Sequence, residues 1–235
     1  MGIQTSQGGG KAVFYKINAK DGCFQQRENG VTHQFEPGRT TLTGTLIGVK
    51  FDEDEYEGVK NESVRMVFKD TEPGQPNMHV EFTVASAGSP SKFGLRLLSK
   101  INASAPGELL ALNPFIIKKG EKLGDTVFEA DFAGVSVSQN GQKIKEDFGT
   151  PDNKLPEPIP VIVNGKPFTQ NGRPVTDKSA WVPILDAQLD KLFSRFNQTE
   201  GQAGPADNGV DPDEVAAAAA VAAAAPGREA MRARA

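Results

Sequence analysis

Few side chains in this sequence could do covalent or metal chemistry. His33, His79 and the single Cys23 stand at no spacing that a metal site or a nucleophile–base pair requires. Cys23 has no histidine near it in sequence and reads as a packed bystander. His79 falls on the polar side of an alternating run, in a surface or pairing role. The carboxylates of Asp52–Glu57 are nearly consecutive and hydrated; the run reads as a turn, a solvated face or protection for a sheet edge. No Gly-rich phosphate loop, nucleophile elbow or zincin sequence is present. These residues point away from an enzyme, and neither a cofactor nor a metal is expected.

A second constellation suits non-covalent recognition. Phe14 and Tyr15 lie between Lys11 and Lys16, and Phe24 stands three residues before Arg27. Arg65 and Lys69 flank Phe68, while Phe115 precedes Lys118, Lys119 and Lys122. Lys92, Arg96 and Lys100 recur every fourth residue, which puts them on one face of a helix. Single-stranded nucleic acid is bound this way, with cations tracking the backbone and bases stacked on rings at ~1–3 kcal/mol each. The candidate stacking rings are Tyr15, Phe24, Tyr56 and Phe115. All the cations just named are candidate backbone contacts. Phe68 and Phe82 share the phase of their apolar neighbours and are assigned to the core.

The elements that must position these groups follow from periodicity. Apolar runs at Leu42–Phe51, Val59–Asp70 and Met78–Ala85 read as strands, the last two alternating with period two. Gly44 and Gly48 fit a tight bend or close approach in the first of them. Phe93, Leu97, Leu98 and Ile101 then mark one face of a helix over Lys92–Asn102. Strands resume at Leu109–Lys118, where Pro114 demands an edge or an interruption, and at Phe128–Val137 before an Asn140-Gly141 turn. A βββαββ order suits a mainly β, five-stranded Greek-key barrel of the oligonucleotide-binding kind, the helix lying between the third and fourth strands. Residues 11–40 form an N-terminal strand extension that pairs with a barrel edge or lies over a face.

The domain organisation follows the composition. Residues 1–10 are Gly-, Ser- and Gln-rich and expected to be disordered; 11–150 carry the barrel and its extension. Residues 151–197 hold a Pro-rich strap, a small hairpin at Asn164-Gly165 and an amphipathic helix with Leu185, Leu189, Leu192, Phe193 and Phe196. That helix suits packing on its own chain or on a second copy. An acidic and then Ala-rich tail, 198–235, is expected to be disordered.

Bulk numbers limit the partners. The formal charge of −4 excludes a uniformly basic binder, yet charge is segregated. Residues 11–50 carry six basic and three acidic groups, and 52–62 carry one and six. Fourteen Phe stand against two Tyr and one Trp; Phe needs no hydrogen-bond partner, so most of them belong in a core. One cysteine fits a reducing compartment, and no stretch has the length of a membrane span. A cytoplasmic location, host cytoplasm for a viral protein, is the expectation.

With this element order, TLTGTLIGVKF (41–51), SVRMVFKD (63–70), MHVEFTVA (78–85), KFGLRLLSKINA (92–103) and VFEADFAGVSVSQNGQKIK (127–145) make the chain resemble phage- and virus-type single-stranded DNA-binding proteins with an oligonucleotide-binding fold. The resemblance implies sequence-tolerant binding and protection of single-stranded DNA in replication or recombination. It also implies recruitment of replication or recombination proteins through an acidic tail, here Asp207, Asp211, Asp213 and Glu214. The acidic residues are internal in this chain and the last residues, REAMRARA, are basic. A homo-oligomer is compatible with these features. The competing expectation is a phage or bacterial structural or protein-interaction module on a small β barrel, with no nucleic-acid binding.

Overall fold

A computed structural model describes residues 12–28, 30–146, 148, 154–170 and 173–197, the side chains of Tyr56, Arg173 and Asn197 excepted. Among the described residues the chain is mainly β, with one large mixed sheet and two α-helices. The first six strands are β1 (Val13–Asn18), β2 (Cys23–Glu28), β3 (Val31–Gln34), β4 (Leu42–Tyr56), β5 (Val59–Lys69) and β6 (Met78–Ser86). A two-residue β7 (Ser89–Pro90) leads into α1 (Lys92–Ala103). There follow β8 (Leu109–Ile117), the short pair β9 (Lys122–Leu123) and β10 (Thr126–Val127), β11 (Phe132–Gln139) and β12 (Gln142–Lys143). The sheet runs β12-β11-β8-β4-β5-β6-β1-β2-β3, with β7 on β6. Its β1–β6 pair is parallel and the others antiparallel.

Period-two alternation builds the inner face. Val64, Met66 and Phe68 on β5 oppose Phe82, Val80 and Met78 on β6, and all six are buried. The N-terminal extension continues this face, since Tyr15 pairs with Val80 and Ile17 with Phe24. It therefore supplies strands to the main sheet, with β1 on the edge of β6. Gly44 is required by close approach, because a Cβ there would sit 2.7 Å from the Lys69 carbonyl oxygen. At Gly48, next to the bulge at Leu46/Gly48, a Cβ would meet only Val67 at 3.7 Å.

Among the described residues, the hydrogen-bonded path ends at β3 and β12 and does not close on itself. The sheet curls nonetheless. Gly22, in the β1–β2 turn, lies against the Phe115 carbonyl, and the Gly38 N–H donates to Pro114 O at 2.8 Å. Pro114 is tolerated inside β8 because the β4–β8 ladder stops at Leu112. α1 packs between β6 and β11, where Lys100 Nζ donates to the edge carbonyl of Val135 at 2.8 Å. Ser91 caps the helix, its side chain accepting from the Gly94 N–H at 3.2 Å.

One sequence expectation needs correction here. Asp52–Tyr56 form no turn. β4 runs through them and pairs residue by residue with β5, from Asp52↔Ser63 to Tyr56↔Val59. The reversal is made by Glu57 (φ 52°) and Gly58 (φ 76°), a two-residue turn with both φ positive. This arm projects past the core and is polar on both faces, so no apolar alternation marks it as strand.

The C-terminal segment returns to the body. Residues 159–170 and 173–177 form small exposed ladders, one of them the hairpin Ile162–Val163/Lys166–Pro167 across Asn164-Gly165. A 3-10 turn at Ser179–Trp181 then leads into α2 (Val182–Asn197). Trp181, Leu185, Leu189 and Leu192 join the main core, so α2 packs on its own chain. Asn102 Nδ2 donates to Gln188 O and Oε1, both at 2.8 Å, and Arg195 Nη1 donates to Ile101 O at 2.6 Å. The last bond falls on a carbonyl that also accepts from the Ser104 N–H and hydroxyl, so α2 is tied to the C-cap of α1; burial lowers the Arg195 pKa from its ordinary value. Among the described residues no helix is long and apolar enough to cross a membrane.

Candidate nucleic-acid interface

The phase of β1 decides which ring can meet a ligand. Val13, Tyr15 and Ile17 share the inward phase, so Phe14 and Lys16 point out. Tyr15 is 3% exposed and Phe24 0%, both packed into the core edge to face at 6.1 Å. Neither can stack a base, and both assignments are corrected. Burial, with a smaller contribution from Asp70, pushes the Tyr15 phenol up to about 12. Cys23 is likewise buried; burial first and Asp21 second push its thiol up, against a hydrogen bond from Gln34.

The ring that the stacking candidates left out is Phe14, 50% exposed on the outer face. Strict alternation through VFYKIN marks it, because Val13 and Ile17 fix Tyr15 as their companion. His79 pairs with Phe14 in the β1–β6 register, and their ring centroids are 4.6 Å apart. The Arg65 guanidinium lies 5.7 Å from the Phe14 centroid. Around them an open pocket of about 210 Å³ is lined by Phe14, Lys16, Gln25, Arg27, Thr32, Arg65, His79 and Glu81, with Tyr15 at its floor.

Charge on this face is partly cancelled. Lys16 Nζ lies 3.3 Å from Glu81, and Arg65 Nη2 lies 3.4 Å from Glu81 and 2.9 Å from Asp52. Arg27 and Lys69 are exposed and make no ion pair among the described residues. Register sets Lys69 at the last position of β5, opposite Thr45.

A second aromatic group sits apart, sharing no residue with the first pocket. Phe115 is half-buried and lies over Gly134, with Phe132 at 6.1 Å and Phe128 a further 5.4 Å from Phe132. Arg96 stands 4.9 Å over the Phe132 ring and pairs with Glu146 through Nε at 2.7 Å and through Nη2. Lys100 holds the Val135 carbonyl, with Glu146 at 3.9 Å; burial lowers its pKa, with Glu146 opposing. Arg96 and Lys100 are thus held by partners within the fold, as Arg65 is; Lys92 alone of that trio is exposed without an ion pair among the described residues.

The loop after β8 is not basic. Lys118, Lys119 and Lys122 are exposed but stand among Glu121, Asp125, Glu129 and Asp131, three cations against four carboxylates. Lys118 Nζ reaches Asp131 at 3.1 Å, and the Lys119 N–H donates to the same carboxylate at 2.9 Å. Those bonds, the backbone one first, hold Asp131 below the usual carboxylate range. The named cations and rings therefore do not converge on one trough: Lys16, Arg27 and Arg65 share one pocket, and Arg96, Lys100 and Phe115 share another. Lys11, the Tyr56 side chain and the tail residues Asp207, Asp211, Asp213 and Glu214 lie outside the described residues. No group of three or more His, Cys, Asp or Glu able to hold a metal occurs among the described residues.

No known protein family, curated protein or solved structure matches this chain.

Proposed function

We propose that this chain binds single-stranded nucleic acid, DNA above all, with little sequence preference, through the outer face of β1, β2, β5 and β6. The observation that carries the reading is Phe14: a large ring half open to solvent on a sheet face, backed by His79 and Arg65 and rimmed by exposed Lys16 and Arg27. A ring in that setting has no packing reason to be exposed, and it offers a base the flat surface that sequence-tolerant binding uses. Gln25 and Thr32 add hydrogen-bonding groups beside it. In the finer reading of the fold, β4, β5, β6, β8 and β11 are the five strands of an oligonucleotide-binding barrel with α1 after the third. Protection of single strands in replication or recombination, in the cytoplasm of a host cell, and recruitment of partner proteins through residues 198–235 belong to the same reading.

The test is a fluorescence titration with labelled single-stranded and duplex DNA across a salt series. Wild type is expected to prefer the single strand and to weaken with salt. Phe14→Ala removes one stacking surface and is expected to weaken single-strand binding roughly 5- to 150-fold, the range that ~1–3 kcal/mol implies. Tight binding by Phe14→Ala, or no binding by wild type at low salt, would overturn the reading.

One observation favours a second reading, an assembly or protein-interaction module without nucleic-acid binding. The ladders at 159–177 expose Ile159, Ile162, Val163 and Phe168, an apolar set suited to a protein contact. Sedimentation of wild type against Ile162→Ser plus Phe168→Ser separates the two: loss of an oligomer with no DNA binding in either protein supports the module.

A further inference from the structure

We propose that Glu81 sets the balance between stacking and charge at this face: it neutralises Lys16 and Arg65 beside the Phe14 ring, so that exposed bases are favoured over duplex phosphates. This inference rests on the binding reading above.

Register puts Glu81 on β6 directly between its two partners, opposite Lys16 on β1 and opposite Arg65 on β5. Its Oε1 lies 3.3 Å from Lys16 Nζ and its Oε2 3.4 Å from Arg65 Nη2, while Asp52 takes the same guanidinium nitrogen at 2.9 Å. A face built to hold phosphates would leave both cations open to them. Here a carboxylate already stands where a phosphate oxygen would go and repels a second anion. The Lys16 half of the arrangement adds little to stability. With the Lys16 side chain 51% exposed, that pair is worth only about 0–1 kcal/mol.

Duplex DNA presents mainly phosphates to such a face, because its bases are stacked inside. A single strand can place a base on Phe14 and leave its phosphates to the rim, where Arg27 is unpaired among the described residues. Cancelling the central charge therefore costs duplex binding more than single-strand binding.

Glu81→Gln keeps the shape and removes the charge. The test measures wild type, Glu81→Gln and Asp52→Asn against labelled oligo-dT and a duplex of equal length over a salt series, with thermal melts of each protein. Glu81→Gln frees Lys16 and leaves Arg65 on Asp52 alone, so the log K against log salt slope is expected to steepen by ~0.7–1.4 for the single strand and ~0.9–1.8 for the duplex. Affinity is expected to rise on the order of tenfold at moderate salt, more for duplex than for single strand, so that the selectivity ratio falls. Asp52→Asn engages only Arg65 and should move both quantities in the same direction by less; it carries the test if Glu81→Gln does not fold. If wild type binds the single strand while the folded variants show unchanged or weaker affinity, slope and selectivity, the role of Glu81 is overturned and the binding reading stands. If wild type binds neither DNA at low salt, both fall.

Discussion

Phe14 and Tyr15 are neighbours in sequence with opposite fates, and the difference is one of phase alone. The Tyr15 ring packs against Phe24 and Phe35 with its phenol away from water. Burial disfavours the phenolate, which is why its pKa rises to about 12 from an ordinary 10.0. The sign follows from linkage. The unfolded chain loses this proton near pH 10 and the folded chain near 12, so the neutral phenol's contribution is whole below pH 10 and lost as pH climbs to 12. Urea unfolding at about pH 9 and about pH 11 should show wild type losing ~1 kcal/mol more over that interval than Tyr15→Phe. Equal losses in the two proteins would place the phenol in water, and with it the phase assignment of β1 would fail.

Elements were legible in the sequence where one side of them is wet and the other dry. β5, β6, α1 and α2 alternate or repeat cleanly, and the bounds of the first three fall within a few residues of those read from the sequence. The acidic arm of β4 was not legible, because both of its faces are polar. The pairing of β1 with β6 was left open too, since sixty residues separate strands whose partnership no local pattern announces. The candidate site suffered from the same gap: charge counts along the chain cannot show that Arg96 meets Glu146 or that Lys118 meets Asp131. Glycines show what local reading can and cannot do. Gly44 and Gly48 look alike in sequence, yet only Gly44 faces a backbone oxygen at 2.7 Å. Gly44→Ala is expected to destabilise by about 1–3 kcal/mol through forced separation of β4 and β5. Gly48→Ala should stay within ~0.5 kcal/mol, as surface changes away from such features do. Chemical denaturation of the two variants checks the ordering; equal effects would show that β4 relaxes at Gly44.

At the scale of the whole molecule, the core joins the first strand to the last helix. Tyr15, Ile17 and Phe24 belong to the same buried cluster as the β5–β6 face, the inner side of α1, and Trp181, Leu185 and Leu192. Hydrogen bonds made by Asn102 and Arg195 lock α2 to the end of α1, and Trp181 Nε1 donates to Pro156 O at 2.6 Å. A continuous core of this kind should melt as one unit, because exposing either end strips apolar surface from the other. Trp181 is the single tryptophan, so its fluorescence reports the C-terminal end alone, while far-UV circular dichroism reports the sheet and both helices. The two transitions in urea are expected to coincide. Phe24→Ala, made at the opposite end of the core, should lower both midpoints together, at a cost of about 3–5 kcal/mol for a fully buried ring. A tryptophan transition that stayed in place while the dichroism moved would mean that the segment holding α2 folds independently, and that its docking on α1 adds little to the stability of the sheet.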